Sequence, residues 1–111
     1  MGNRQVAYNS AYGGFEISEL CLEWLCDHGN ETALSIRRNN QYDSQHGMPW
    51  TGTRHDPMLI LAIETLGNEK ASGPVSSIFI HQLNGDRYVI QEYDGLERVL
   101  EPGEIEWVSI S

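Results

Sequence analysis

The sequence predicts a single α+β domain: an antiparallel or mixed sheet with a C-terminal β-meander and two helices packed on one face. Three observations predict it. The 111 residues are the size of one domain. Two stretches, Leu20–Leu25 and Met58–Leu66, carry apolar residues at helical spacing, each between a capping residue and a glycine. After Pro74 the chain breaks into short β-rich runs punctuated by Asn-Gly, Asp-Gly and Pro-Gly.

Taken in order, Gln5–Asn9 reads as a short strand and Ser10–Gly14 as a small-residue loop. Ser18 is a good N-cap, Leu20, Cys21, Trp24 and Leu25 form one helical face, and Gly29 stops it, which gives a helix over Glu19–His28. Thr32–Arg38 alternates enough for a second strand, although a helical turn also fits. Asn39–Thr53 is rich in Asn, Gln, Ser, Gly and Thr, with Trp50 behind Pro49, and reads as a loop longer than usual connections. Asp56 caps and Pro57 begins the clearest helix, apolar nearly all round and closed by Gly67, so it should be central and buried. Ala71–Pro74 is a break. The meander follows as strands Ser76–Leu83, Tyr88–Tyr93, Leu96–Leu100 and Ile105–Ile110, with turns at Asn84-Gly85, Asp94-Gly95 and Pro102-Gly103.

Composition removes several function classes. Sixteen acids against seven bases give a net charge of -9, which argues against direct nucleic-acid binding, where a basic face is needed. The same charge suits an acidic surface that occupies a basic site on a protein partner. No run of about 18 apolar residues exists to span a membrane, and the start of the chain has no signal-like pattern, so a cytoplasmic protein is expected. Cys21 and Cys26 lie on different faces of one helix and read as reduced thiols. Zinc-helix and nucleophile-elbow motifs are missing, the four histidines are scattered, and no metal or cofactor is implied.

Three segments remain as candidate chemistry. In the first, Asn9 to Ser18, Gly13 and Gly14 would let the backbone approach a ligand, and Tyr12 and Phe15 would stack on a flat ring. Packing alone would also explain them. The second is the locally basic stretch with Arg37, Arg38 and Arg54, where Arg54 and His55 precede a helix start and suit an anion, though Asp56 would compete for that start. His55 beside Asp56 is also the best acid/base pair. The third is the acidic C-terminal run, with Glu92, Asp94, Glu97, Glu101, Glu104 and Glu106 against Arg98.

Together the stretches Tyr8-Asn9-x-x-Tyr12-Gly13-Gly14-Phe15-x-Ile17-Ser18, Arg54-His55-Asp56-Pro57 with Ala71-Ser72-Gly73, and Glu92-Tyr93-Asp94-Gly95 resemble a family of small, functionally uncharacterised proteins of tailed bacteriophages and prophages. The resemblance covers most of the chain except Asn39–Thr53. A cysteine often stands in that family where Ala11 stands here, which argues against a required thiol at that position. The resemblance implies a phage-type accessory protein acting in the bacterial host cytoplasm, with anti-defence roles among those expected.

Two binding modes fit the residues. In the leading one the protein sequesters an anionic, nucleotide-like ligand without turning it over. Arg37, Arg54 and the loop of Gly13 and Gly14 would hold phosphate, Tyr12, Phe15 or Trp50 would hold a base, and Asn9 and His55 would complete the ligand-binding set. In the alternative, Glu92, Asp94, Glu101, Glu104 and Glu106 cover a basic site on a host nucleic-acid-handling or defence protein. A small hydrolase or transferase using His55 and Asp56 is the third expectation. A homo-oligomer fits any of them, since a small domain can complete a pocket at a symmetric interface.

Overall fold

Ser18 starts the first helix as its sequence predicts. Its hydroxyl accepts the Cys21 N–H at 3.0 Å and donates to the Lys70 carbonyl at 2.6 Å. One side chain thus caps α1 (Glu19–Asp27) and ties it to α4 (Asn68–Ala71). Asp56 caps α3 (Pro57–Leu66) through the Met58 N–H, Pro57 opens it, and Gly67 ends it at a φ of 91°. The structure, a computed structural model, describes residues 4–39 and 48–104.

The fold is α+β, with antiparallel strand pairs. β1 (Gln5–Asn9) pairs with β4 (Ile78–Gln82), and Val6 lies opposite His81 and Tyr8 opposite Phe79. β2 (Glu16–Ile17) pairs with β3 (Met48–Pro49). β5 (Val89–Tyr93) and β6 (Leu96–Leu100) form the C-terminal hairpin around Asp94-Gly95.

The period of two along β1 and β4 divides the core. Ala7, Ile78 and Ile80 face the helices and join Ile17, Cys21, Leu25, Leu59 and Ile63 in the main apolar cluster. Val6 and Tyr8 face the other way and pack with Leu83, Tyr88, Ile90 and Val99. The β1–β4 ribbon is therefore the middle layer between helices and hairpin. Cys21 lies fully buried in the helical layer as a free thiol, and burial pushes its pKa up to about 12.

Several elements differ from the sequence expectation: β2, β3 (inside the expected Asn39–Thr53 loop) and α4 were not expected, and two further segments take another form. Thr32–Arg38 belongs to a helix, α2 (Glu31–Arg38), rather than a strand. Asn30 decides this: its Oδ1 accepts the Ala33 N–H at 2.9 Å, and its Nδ2 donates to Asp56 at 3.1 Å. Ala33 and Ile36, three apart, then bury on one face. The Asn84-Gly85 turn does not pair β4 with β5, because both its N–H groups donate to the Glu101 carboxylate, at 2.9 and 3.1 Å. The expected strand Ile105–Ile110 and positions 40–47 of the expected Asn39–Thr53 loop lie outside the described residues.

Candidate functional site: a joint of three loops

The three motif stretches converge in space. Asn9, at the end of β1, is fully buried and organises the joint. Its amide nitrogen donates to the carbonyls of Ala11 (2.6 Å) and Gly95 (2.7 Å). Its side-chain oxygen accepts the N–H groups of Ala11 (3.2 Å) and Ser77 (2.8 Å). One asparagine thus links the glycine loop, the segment before β4 and the hairpin turn. Ser76 adds a second link: its hydroxyl donates to the Gly14 carbonyl at 2.6 Å and accepts the Glu16 N–H at 3.0 Å.

The glycines serve contact between backbones. A Cβ on Gly13 would overlap the Val75 carbonyl oxygen. A Cβ on Gly95 would stand 2.6 Å from the Tyr12 carbonyl oxygen and from the Gly14 nitrogen. The Val75 loop, the Gly13-Gly14 loop and the Asp94-Gly95 turn are therefore stacked backbone on backbone. Asp94, at a φ of 51°, and Gly95, at 89°, form the tight turn that β5 and β6 need.

Arg54 closes the joint from below. Its guanidinium makes a two-pronged pair with Glu97, at 2.5 and 2.9 Å, and lies 3.8 Å over the Phe15 ring. Glu97 also accepts the Asn9 N–H at 3.0 Å, and the Arg54 carbonyl accepts the Ala7 N–H at 2.8 Å. The free edge of β1 is thus covered by one residue's carbonyl and the other's carboxylate, a device that blunts an edge strand. The anion-binding role expected of Arg54 meets a guanidinium already engaged by an internal carboxylate.

The other expected site residues separate. Phe15 and Trp50 are buried in the main cluster, and the Trp50 indole N–H donates to the Thr53 carbonyl at 3.0 Å. Neither ring is presented for stacking. Arg37 is exposed at the end of α2, away from the joint. His55 lies 2.6 Å from the Tyr88 hydroxyl, while Asp56 serves Met58 and Asn30, so the two do not form an acid/base couple. Burial raises the Tyr88 pKa, and the Arg54 charge opposes the rise. Among the acids, Glu92 holds the Gly95 N–H at 2.6 Å and Glu101 holds the Asn84-Gly85 turn. The Glu104 side chain and all of Glu106 lie outside the described residues.

Burial by itself would raise the Glu101 pKa. Hydrogen bonds from Gly85, His81 and Asn84, with the His81 charge, outweigh it and hold the carboxyl below its ordinary range.

What remains at the surface of the joint is Tyr12, 67% exposed, Tyr93, 72% exposed, and Asp94, with Val75 partly exposed beside them. Beside the joint lies an open cleft of about 710 Å³, whose lining includes Lys70, Ser72, Ser77 and Phe79. The sequence places Glu97 in the acidic C-terminal run and Tyr93 in a turn motif, but it assigned a site role to neither, nor to Lys70. Glu97 had a readable signal, because it shares strand parity with buried Val99, and an acid facing a core needs a cation.

Among the described residues, no group of three or more His, Cys, Asp or Glu could hold a metal ion, and no helix is long and apolar enough to cross a membrane. Comparison with family models, with characterised proteins and with solved structures returns no match to this chain.

Proposed function

We propose that this chain is a binding protein that works without turnover and engages a basic protein surface through the loop joint. The observation that carries the reading is the exposure of Tyr12 and Tyr93 beside Asp94, on loops whose polar groups are otherwise consumed internally. Large exposed aromatics on a rigid support are the residues that dominate binding energy at interfaces. A tyrosine face attracts an arginine of the partner, Asp94 pairs with a second cation, and the net charge of -9 steers the encounter. The resemblance to small phage proteins supports a host nucleic-acid-handling or defence protein as that partner.

The test compares capture of partners from bacterial lysate by wild type and by Tyr12→Ala/Tyr93→Ala. The expected result is a specific partner whose capture weakens with salt and disappears in the double variant. Equal capture by both proteins overturns the reading.

A second reading, sequestration of an anionic, nucleotide-like ligand, is favoured by the cleft beside the joint. There the Lys70 ammonium, the Ser77 hydroxyl and the half-exposed Phe79 ring share one lining. Native mass spectrometry separates the two. A retained mass of nucleotide size, absent in Lys70→Ala and present in Tyr12→Ala/Tyr93→Ala, would replace the first reading with the second.

A further inference from the structure

β5 is exposed at four of its five positions, and only Ile90 is half-buried. A strand this open is the rim of a sheet. Its backbone directions follow from the hairpin. Tyr93 and Leu96 flank a two-residue turn, so they form the closing hydrogen-bonded pair. Val89, Gln91 and Tyr93 then direct their backbone groups at β6, and Ile90 and Glu92 direct theirs outward. Among the described residues, no backbone group hydrogen-bonds the outward side of Ile90 or Glu92. The edge carries neither proline nor lysine, devices that commonly block edge pairing.

The five residues Val89-Ile90-Gln91-Glu92-Tyr93 are self-complementary about Gln91. Turned by a two-fold axis through Gln91, a second β5 places Ile90 opposite Glu92 of the other copy, and these are the two residues with outward donors and acceptors. Val89 then meets Tyr93, and Gln91 meets Gln91 as a pair without hydrogen bonds. No like charges are opposed along the edge, in a chain whose charge of -9 opposes most modes of self-association. On the outer face, Val89 (49% exposed) and Tyr93 would continue Leu100 and Leu96 into apolar rows across both hairpins. A polar row of Arg98 and Gln91 would lie between them.

We propose that β5 is a homodimer edge, joining two hairpins into one continuous four-stranded antiparallel sheet with Gln91 at the two-fold axis. The occupant is a second copy of this chain.

Gln91 is exposed, so its replacement leaves the hairpin's packing intact. Sedimentation of the full chain should give twice the monomer mass. Gln91→Lys, which opposes two ammonium groups beside two arginines, should give the monomer with an unchanged circular dichroism spectrum. A non-hydrogen-bonded pair holds its Cα atoms about 4.5 Å apart, within the roughly 4.4–6.8 Å that a disulfide spans. Gln91→Cys should therefore cross-link into a covalent dimer under oxidised glutathione, since Cys21 and Cys26 are buried. Arg98→Cys, three strand spacings or about 14 Å from its counterpart, should not. A monomeric wild type, a dimer unaffected by Gln91→Lys, or equal cross-linking at Arg98→Cys would each overturn the proposal. So would a monomer whose Ile90 and Glu92 amides resist exchange, because its own chain would then cover the edge.

Discussion

Arg54 carries the largest consequence at the scale of the residue. It was expected to meet a ligand's anion, and its guanidinium instead serves Glu97, Phe15 and, through the chain, the edge of β1. Arg54→Ala would leave Glu97, 6% exposed, with an uncompensated charge. Breaking a buried pair costs about 3–5 kcal/mol. Arg54 itself is 20% exposed, so a loss near the lower end is expected. Urea denaturation should show that loss in Arg54→Ala and less of it in Arg54→Met/Glu97→Leu, where no charge is stranded. The glycines make a second prediction. Gly14 and Gly95 share a φ of 89°, but a Cβ on Gly14 meets nothing within 4 Å, whereas on Gly95 it meets backbone at 2.6 Å. Gly14→Ala should cost the left-handed strain alone, about 1–2 kcal/mol. Gly95→Ala should cost clearly more, and a reversed order of unfolding midpoints would contradict the stacked joint.

At the scale of the element, Glu101 holds the connection from β4 to β5. Its carboxyl has a folded-state pKa below the ordinary value of 4.5, so the clasp favours the charged form. Its contribution is complete above the ordinary carboxylate range and is lost as pH falls through the lowered value. Glu101→Gln should lower stability near neutral pH and flatten the acid limb of the curve, as read from urea midpoints between about pH 7 and about pH 3. A parallel curve would assign the acid limb to other carboxylates. This clasp also explains where the sequence was legible and where it was not. Ser18, Asp56-Pro57, Gly67 and Asp94-Gly95 act locally, and each of those element ends was readable. Asn84-Gly85 has the composition of a hairpin turn, but a glutamate 16 and 17 residues away takes its N–H groups. Thr32–Arg38 had no decisive period, and its helix depends on an asparagine cap held by Asp56, 26 residues on.

For the whole molecule, the layers predict uneven stability. The helical layer holds most of the buried apolar residues, whereas the hairpin is fastened by Val6, Leu83 and Val99 and by the polar joint. Leu59→Ala, in the main cluster, should cost about 2–5 kcal/mol. Val99→Ala should cost less, about 1–2 kcal/mol, and should accelerate amide exchange in β5 and β6 before α1 or α3. Acceleration everywhere at once would mean that the layers unfold together. The joint was legible as three motifs but not as one place, because sequence spacing says nothing of which loops stack. The polar residues expected to face a ligand mostly face one another, and the surface role passes to Tyr12 and Tyr93. The buried thiols carry a consequence of another kind. Cys21 is sealed in the helical layer with its pKa raised to about 12, while Cys26 lies nearer the surface, where burial raises its pKa and the Arg37 charge pulls it down. A thiol reagent therefore has two clocks on one helix: modification of Cys26 times the fraying of the α1 end, and modification of Cys21 times the opening of the core.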